Sequence, residues 1–433
     1  MYICKNDFGL VNITTMKRTV ITLLITLAML ASQAQVQPST ALAGSWSGRL
    51  NVMGTSLTLV LHLEQADGAV KASLDSPDQG AKGLPCAIEY LSDDSVAVKM
   101  QMLNAAYRAR LRHGKLDGTF SQMGMSLPLL LDKGEQELRR PQHPLAPYPY
   151  KTEEVTFENK AAGATLAGTL TYPQGYETMP RGTVPVVLMV SGSGQQNRDE
   201  ELFDHKPFLV LADYLARHGI ASLRYDDRAT GASVGGDVQN ATTETFMHDA
   251  AAGIEYLQGL KAFGKVGCLG HSEGGSIAFM LAARGKVGFI VTLAAPSVKG
   301  DTVLAAQVNH LLALSGQPAT MTVSQYRQQQ AVQQSPWLRW FIDYDPSADI
   351  RQTRCPVLAL NGDRDCQVIS SLNLTAIRQL LPSSGFNLLT EYPSLNHLFQ
   401  HSTTGLPNEY RQIEETISPN VLQDIANWIN ELK

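Results

Sequence analysis

The sequence is poor in cysteine and lacks the patterns that cysteine forms in metal and redox sites. Only five cysteines occur among 433 residues, and none stands in a CxxC pair or at a Cys/His spacing typical of zinc. We therefore predict no metal site. Cys4 lies in an N-terminal segment that we expect to be removed. The other four are predicted to be free buried thiols, although their even number leaves a disulfide open.

The sequence also has no excess of positive charge. The 35 Lys and Arg residues are outnumbered by 40 Asp and Glu residues, which gives a net charge of −5, and no Lys/Arg run occurs. This balance argues against nucleic acid or an anionic membrane as the main partner. A composition of 44% hydrophobic and 17% charged residues is that of a globular protein, and the length suggests two or three domains.

The one long apolar run stands at the N-terminus. Met16-Lys17-Arg18 precedes apolar residues 20–31, and the small-residue stretch 32–34 follows. A basic start, a short apolar segment and a small-x-Ala end are typical of a signal peptide, and a membrane-spanning helix needs about 20 apolar residues. We predict a signal peptide over residues 1–34, with 1–15 as a doubtful extension upstream of Met16. The mature chain is expected in the periplasm or medium, without stable membrane insertion.

Residues 41–135 alternate between apolar and polar side chains with a period of two. Leu57, Leu59, Leu61 and Leu63 fall on one face, a second group contains Val96, Val98, Met100 and Met102, and Asp67-Gly68 reads as a hairpin turn. This pattern predicts a small all-β barrel or sandwich. It contains no cluster of titratable residues, so we expect a packing or partner-binding role.

Four prolines between 141 and 149 then predict an extended linker over residues 136–152.

Residues 153–433 have a different pattern, in which short apolar strands alternate with amphipathic helices. The strands include Val186–Val190, Val266–Leu269 and Val357–Leu360. Such alternation predicts an α/β domain with a mostly parallel sheet and helices on both faces. Residues 297–354 exceed what one crossover needs, and we expect them to form a helical cap.

A strand-to-helix turn in this domain carries a nucleophile pattern. The strand at 266–269 runs directly into Gly270-His271-Ser272-Glu273-Gly274, and helical sequence follows. This is G-x-S-x-G in the context that a nucleophile elbow requires. The abrupt reversal strains Ser272 and brings residues 270 and 274 together, so both must be small. We predict Ser272 as a nucleophile and His271 beside it as a packing residue.

A serine nucleophile needs a base and an acid that orients the base. After the strand at 357–360 two acids compete, and we favour Asp365 over Asp363 because it lies further along the loop. His397 follows the last strand and is the predicted base, whereas His401 is expected to be solvated.

The oxyanion and substrate sites are predicted from neighbouring segments. Ser193, in the Gly-Ser-Gly loop after the strand at 186–190, and Glu273 are the expected backbone N–H donors. Gln195 is a candidate pocket residue. Aromatic residues near the end of the cap either line the pocket or anchor the cap in the core; they are Trp337, Trp340, Phe341 and Tyr344.

With these residues in place, the C-terminal 280 or so residues resemble the α/β-hydrolase fold, and more narrowly the bacterial EstD-type carboxylesterases and their serine-aminopeptidase-like relatives. The resemblance rests on these segments: 147–150, 191–194, 198–199, 224–228, 270–274, 362–365 and 395–397. Members often carry a small β domain ahead of the hydrolase. The resemblance implies hydrolysis of a small-molecule carboxylic ester through an acyl-enzyme, without a cofactor. Residues 195–197 and 229–230 depart from the family pattern.

Two alternatives remain at this point. A compact aminopeptidase would need acids to hold a substrate ammonium, and Asp199, Glu200 and Glu201 beside the oxyanion loop are candidates. A non-catalytic binding protein on the same fold is the second alternative, against which a complete triad in the right order argues. The oligomeric state does not follow from the sequence.

Overall fold

The computed structural model describes residues 42–52, 55–66, 69–79, 81–134, 138–330 and 335–432. The predicted signal peptide, Cys4 and the Asp67-Gly68 turn lie outside these residues. The chain divides into two compact units, residues 1–136 and 137–433. Within the described residues, no helix combines the length and the apolar character needed to cross a bilayer.

The first unit is a closed antiparallel barrel of eight strands. Each strand pairs with the next, and β1 closes the barrel against β8. The strands are β1 (Gly44–Val52), β2 (Thr55–Ala66), β3 (Ala69–Ser76), β4 (Ala81–Leu91), β5 (Ser95–Met100), β6 (Ala105–Arg112), β7 (Lys115–Gln122) and β8 (Met125–Lys133). Closure removes the exposed edges that an open sheet would present.

The predicted alternation fills the barrel interior with apolar side chains. Leu61, Leu63 and Val98 are almost fully buried, and Trp46 packs among them with its indole N–H donating to the Leu42 carbonyl at 2.9 Å. The prediction is wrong for Met102, which is exposed. Strand β5 ends at Met100 and a 3₁₀ turn follows over Gln101–Leu103, so the period of two stops before this residue.

The second unit contains a sheet of nine strands in its described part, in the order β13-β10-β12-β11-β14-β15-β16-β17, with β9 paired to β10. Strands β12, β11 and β14 to β17 are parallel, whereas the pairs that β10 makes are antiparallel. The strands are β9 (Thr152–Asn159), β10 (Ala164–Thr171), β11 (Val186–Val190), β12 (Ala221–Tyr225), β13 (Val234–Gly235), β14 (Val266–His271), β15 (Ile290–Leu293), β16 (Val357–Gly362) and β17 (Leu388–Tyr392).

Helices cover both faces of this sheet. They are α1 (Pro207–Arg217), α2 (Thr243–Gly259), α3 (Glu273–Ala283), α4 (Gly300–Leu314), α5 (Val323–Gln330), α6 (Pro336–Asp343), α7 (Ser347–Gln352), α8 (Ser370–Leu380), α9 (Pro407–Tyr410) and α10 (Pro419–Glu431). Helices α2 and α3 contribute to one buried cluster with Val186 and Leu188, and α1 and α10 contribute to the other with Val187. The near-continuous apolar sequence of the central strands is thus explained, because both faces are buried in β11, β12, β14, β15 and β16.

The strand order reverses between β11 and β14. Strand β12 lies on the far side of β11, while β15 and β16 lie on the far side of β14. At such a switch point the loops leaving the two central strands diverge and open a crevice at the carboxyl edge, where ligands bind in open α/β sheets. The loop after Val190 and the turn at Ser272 both leave the sheet here.

The proline-rich segment, predicted to be extended, contains a turn in which the His143 N–H donates to the Arg140 carbonyl at 3.0 Å, and it is held within its own unit. Arg140 donates to the carbonyls of Arg411 and Phe203, and Gln142 donates to the carbonyl of Ile417 at 2.7 Å. These contacts fix the segment on the loops before α1 and α10.

The four described cysteines, Cys86, Cys268, Cys355 and Cys366, are free thiols. Burial raises the pKa of each, which makes them poor nucleophiles.

Candidate active site

Ser272 stands at the sharp turn between β14 and α3. Its backbone has φ 51° and ψ −119°, a region that residues other than glycine rarely adopt. The turn is held by its N–H donating to the Leu293 carbonyl at 2.8 Å and by its carbonyl accepting from Gly275 at 2.9 Å. Ser272 is half-buried and lies at the N-terminus of α3, where the helix dipole favours negative charge.

The glycines around Ser272 are required by close backbone contacts. A Cβ at Gly270 would lie 2.0 Å from the Gly274 carbonyl oxygen, and a Cβ at Gly274 would lie 2.1 Å from that of Val190. These distances are far below van der Waals contact, so no larger residue fits without moving the turn. The steric reason predicted for the two glycines is thus visible in the structure.

His397 and Asp365 form a buried pair at the same edge of the sheet. The His397 Nδ1 lies 2.7 Å from Asp365 Oδ2, and both side chains are buried. The other oxygen of Asp365 accepts the backbone N–H groups of Gln367 and Val368, each at 2.8 Å. This carboxylate is therefore fixed on both sides.

Asp363, the alternative to Asp365, stabilises a turn instead of contacting the histidine. Asp363 is exposed and accepts the N–H of Ser394 at 2.7 Å, which holds the turn before the histidine. His401 is also exposed and pairs with Glu415 at 2.8 Å.

The structure brings His271, the residue directly before Ser272, into contact with His397. His271, next to the serine, donates through Nε2 to the His397 carbonyl at 3.0 Å, and the two imidazole rings are 4.8 Å apart. In the described part of the chain no hydrogen bond joins the Ser272 hydroxyl to the His397 ring. Such bonds are often long before a substrate tightens them.

The loop of residues 191–194, here called the oxyanion loop after its predicted donor Ser193, packs against Ser272. A Cβ built on Gly192 would lie 3.3 Å from the Ser272 Cβ, so its backbone passes directly beside the serine. Ser193 is exposed in this loop. The Glu273 N–H belongs to the first turn of α3, whose N–H groups have no partner within the helix.

The side chain of Glu273 points into the protein and meets the cap. The indole N–H of Trp337, on α6, donates to Glu273 Oε1 at 2.9 Å. Burial raises the pKa of the Glu273 carboxyl, an effect that the nearby hydroxyls of Thr243 and Ser193 and the Trp337 N–H partly offset. Trp337, which lies in the predicted cap, thus contacts the residue directly after Ser272.

Of the remaining candidate pocket residues, Phe341 and Trp340 pack in the interior and Gln195 is exposed. Phe341 stacks on Trp337 with ring centroids 5.2 Å apart and is itself buried. Trp340 stacks on Tyr344 and packs against the main core cluster, which makes it an anchor of the cap. Gln195 lies on the surface, where its amide contacts the Thr230 hydroxyl at 3.2 Å.

The structure gives His271 and Glu200 contacts that the sequence did not predict. His271 does more than pack, since its Nδ1 lies 2.9 Å from Glu200 Oε1 while its Nε2 holds the His397 backbone. Glu200 is buried and also accepts the N–H of Gly192 at 2.7 Å. No sequence pattern links positions 200 and 271; the sequence indicated Glu200 only as one of three acids that could hold a substrate ammonium.

A buried carboxyl group for which the described residues supply no cationic partner lies behind the oxyanion loop. Asp227 accepts the Gln196 N–H at 2.9 Å and the Ser191 hydroxyl at 3.4 Å. Burial raises the pKa of Asp227 to about 8, and the nearby Glu273 carboxyl adds to this effect. Asp227 is therefore mostly protonated at neutral pH.

Asp227→Asn is expected to flatten the pH dependence of stability. The pKa of folded Asp227, about 8, lies above its ordinary value of 3.8, so between these pH values the folded protein keeps a proton that the unfolded chain releases. Raising the pH from 5 to 8 therefore favours unfolding, by at most roughly 1.4 kcal/mol per pH unit for one such group. Urea unfolding of wild type and variant at several pH values measures the two slopes. Parallel slopes would contradict the assigned protonation of Asp227.

Among the described residues, no group of three or more His, Cys, Asp and Glu side chains is arranged to hold a metal ion.

Comparisons with known proteins give two sequence matches. A family model described as "Serine aminopeptidase, S33" matches residues 206–368, a range that includes Ser272 and Asp365. Esterase EstD from Thermotoga maritima is 26% identical over 331 residues, which cover 73% of this chain and 74% of that protein.

Solved structures of esterases are similar at lower identity. Est1E from Butyrivibrio proteoclasticus is 16% identical with a TM-score of 0.41, over 64% of this chain and 98% of that chain. The esterase Pf2001 from Pyrococcus furiosus is 14% identical with a TM-score of 0.43, over 69% of this chain and 98% of that chain.

Proposed function

The chain is an α/β-hydrolase of the EstD type, a serine hydrolase with an N-terminal β-barrel, and from this premise we propose that it is an exported carboxylesterase that uses Ser272, His397 and Asp365 as its catalytic triad. The observation that carries the proposal is the strained turn at Ser272 beside the buried His397–Asp365 pair. A serine held clear of the sheet, next to a base whose tautomer is fixed by a carboxylate, is what acyl transfer requires.

The first half of the reaction forms an acyl-enzyme. The Ser272 oxygen attacks the ester carbonyl carbon while His397 Nε2 takes the hydroxyl proton. Asp365 keeps the proton of His397 on Nδ1 and stabilises the imidazolium that forms. The N–H groups of Ser193 and Glu273 donate to the oxyanion, and one such donor is typically worth about 3–4 kcal/mol in the transition state.

The second half releases the acid. The tetrahedral intermediate expels the alkoxide, which takes the proton from His397 and leaves as the alcohol. Water then attacks the acyl-enzyme, His397 takes a proton from it, and the same donors stabilise the second oxyanion. Collapse returns the proton to Ser272 and frees the carboxylic acid, so the cycle consumes one water and needs no cofactor.

The pairing and protonation of the nearby acids favour an ester substrate over an aminoacyl substrate. Asp199 pairs with Arg224 and Glu200 with His271, while Glu201 lies 3.6 Å from Lys206. Glu273 is buried with a raised pKa, which disfavours its charged form. The acids that could hold a substrate ammonium are thus already paired or tend to be neutral.

A matched pair of substrates tests this choice. We expect leucine methyl ester, which carries a free ammonium, to be hydrolysed no faster than N-acetyl-leucine methyl ester, because no charged acid is available for it. Leucine p-nitroanilide should be cleaved far more slowly than p-nitrophenyl butyrate. A preference of about tenfold or more for the free ammonium, roughly 1.4 kcal/mol, would contradict the proposal in favour of an aminopeptidase.

Glu201→Gln is the matched control for this comparison. Its carboxylate is partly exposed and bonded to Asn197 and Lys206, so an esterase should keep its kcat/KM on p-nitrophenyl butyrate. An enzyme that used Glu201 to hold an ammonium would lose activity on the free-amine substrate alone.

Export is supported by the basic, apolar and small-residue order of residues 16–34. We expect the protein recovered from the periplasm or medium to begin at Gln35. Intact-mass measurement of that fraction tests this, and an uncleaved chain found only in the cytoplasm would contradict it.

A further inference from the structure

A second buried histidine–carboxylate pair lies beside the proposed triad. His271 Nδ1 is 2.9 Å from Glu200 Oε1, and the two side chains are only 6% and 1% exposed. Glu200 Oε1 also accepts the Gly192 N–H at 2.7 Å, and His271 Nε2 is 3.0 Å from the His397 carbonyl oxygen. The reaction scheme above uses neither side chain.

The partners of this pair determine where its protons lie. The His397 carbonyl can only accept, so His271 Nε2 must carry a hydrogen. The contact between Nδ1 and Glu200 Oε1 then holds one proton, on either the ring or the carboxyl group. Burial lowers the pKa of His271, but the charge and hydrogen bond of Glu200 outweigh burial and the pKa is raised. This direction favours an imidazolium–carboxylate pair.

The pair connects the two loops between which Ser272 lies. On one side Gly192 directly precedes Ser193, the proposed oxyanion donor. On the other side the pair holds the backbone of His397, the proposed base. A Cβ built on Gly192 would lie 3.4 Å from Glu200 Oε1 and 3.6 Å from His271 Nδ1, so the oxyanion loop and the pair are packed together.

The position of Glu200 is costly for the fold. Its φ of 50° is in the left-handed region, which is unfavourable for a residue with a side chain. A buried carboxylate also loses its hydration and must be paired. The neighbouring Asn197 side chain holds this conformation by accepting the N–H groups of Asp199 and Glu201. The loop is thus built to direct one carboxyl group inward.

We propose that Glu200 and His271 are positioning residues, which hold the oxyanion loop and His397 at the distance that attack by Ser272 requires. This inference rests on the proposed function. Neither residue touches the reacting atoms, so they act through Gly192 and the His397 backbone. A displacement of about 1 Å at a reacting group can cost on the order of 10²-fold in rate, and this loss falls on kcat because ground-state binding is not involved.

Variants at position 271 separate the role of the ring from that of its hydrogen bonds. His271→Phe keeps the ring and removes both bonds, and we expect kcat for p-nitrophenyl butyrate to fall by roughly 10²-fold with KM nearly unchanged. His271→Gln places an amide N–H where Nε2 was, so it should keep the bond to His397 and recover part of that loss. The rate of inactivation by a serine-reactive phosphonate should follow the same order, because it reports attack by Ser272 alone.

Glu200→Gln and Tyr392→Phe complete the experiment. A glutamine at 200 keeps the size but removes the charge that raises the pKa of His271, so the buried ring is expected to be neutral with its hydrogen on Nε2. Its bare Nδ1 then needs a donor, and one atom of the glutamine cannot both donate to Nδ1 and accept from Gly192, so kcat should fall here too. If His271→Phe does not fold, Glu200→Gln still tests the proposal. Tyr392→Phe removes a partly buried hydrogen bond to Asp424, 2.6 Å long, on strand β17, which is separated from β14 by β15 and β16. It should lower the melting temperature and leave kcat unchanged.

The results of these variants distinguish a failure of the positioning role from a failure of the proposed function on which it rests. If Ser272→Ala keeps its activity in the same assay, the proposed function itself fails. If Ser272→Ala is inactive while folded Glu200→Gln and His271→Phe keep wild-type kcat, the positioning role is overturned and the esterase remains. An equal loss in Tyr392→Phe would likewise overturn it, since general destabilisation would then explain the effect.

Discussion

Ser272→Ala will lower kcat for p-nitrophenyl butyrate by about 10³-fold or more and leave the fold intact. The reason is chemical, since alanine has no oxygen to form the acyl-enzyme. The turn itself should persist, because it is held by the backbone contacts of residue 272 with Leu293 and Gly275 and by the close approach of Gly270 to Gly274. Steady-state kinetics and thermal unfolding of the same preparation measure both effects.

Ser276→Ala is the matched control on the same helix. Its buried hydroxyl donates to the Pro296 carbonyl at 3.0 Å, so its loss should cost about 1 kcal/mol of stability with no change in kcat. Near-wild-type ester hydrolysis by Ser272→Ala, or an equal loss of kcat in Ser276→Ala, would refute the assignment of the nucleophile.

Asp365→Asn is expected to lower kcat by roughly 10⁴-fold, the loss seen when a triad aspartate is replaced by its amide. The asparagine oxygen can still accept from Gln367 and Val368, so the loop should stay in place. Its amide N–H groups would then face His397 Nδ1 and favour the tautomer in which Nε2 keeps its proton. The base would be held correctly but protonated on the wrong nitrogen.

Asp363→Asn provides the control from the same loop. Asp363 accepts from the Ser394 N–H at 2.7 Å, and an asparagine oxygen can do the same, so kcat should change little. The comparison is made on pH–rate profiles of both variants. Equal activities in the two variants would mean that the competing acids had been assigned wrongly.

The parts of the site that are local in sequence could be predicted from it. The nucleophile turn is one example, because its sterics act within five residues: a Cβ at Gly270 would lie 2.0 Å from the Gly274 carbonyl oxygen. The alternation that fills the barrel is another, since a period of two along β2 and β5 marks the inward face directly. Strand β11 has the predicted bounds, Val186–Val190, because its apolar run is bounded by clear breaks.

Contacts between distant segments could not be predicted in this way. Glu200 and His271 are 71 positions apart and meet only because β11 and β14 are neighbours in the sheet. Trp337 reaches Glu273 across 64 positions, so the sequence left its role open between pocket and core. Strand β9 was also missed, since its exposed side chains are largely acidic, although Val155 and Phe157 are buried in alternation.

The most direct test is to locate the covalent adduct of a serine-reactive phosphonate by peptide mapping. The account predicts one equivalent of label per active enzyme, on Ser272 within the tryptic peptide of residues 266–284, with activity lost in proportion. A His397→Ala variant should label far more slowly. Label on another residue accompanying the loss of activity, or full activity after complete modification of Ser272, would contradict the account.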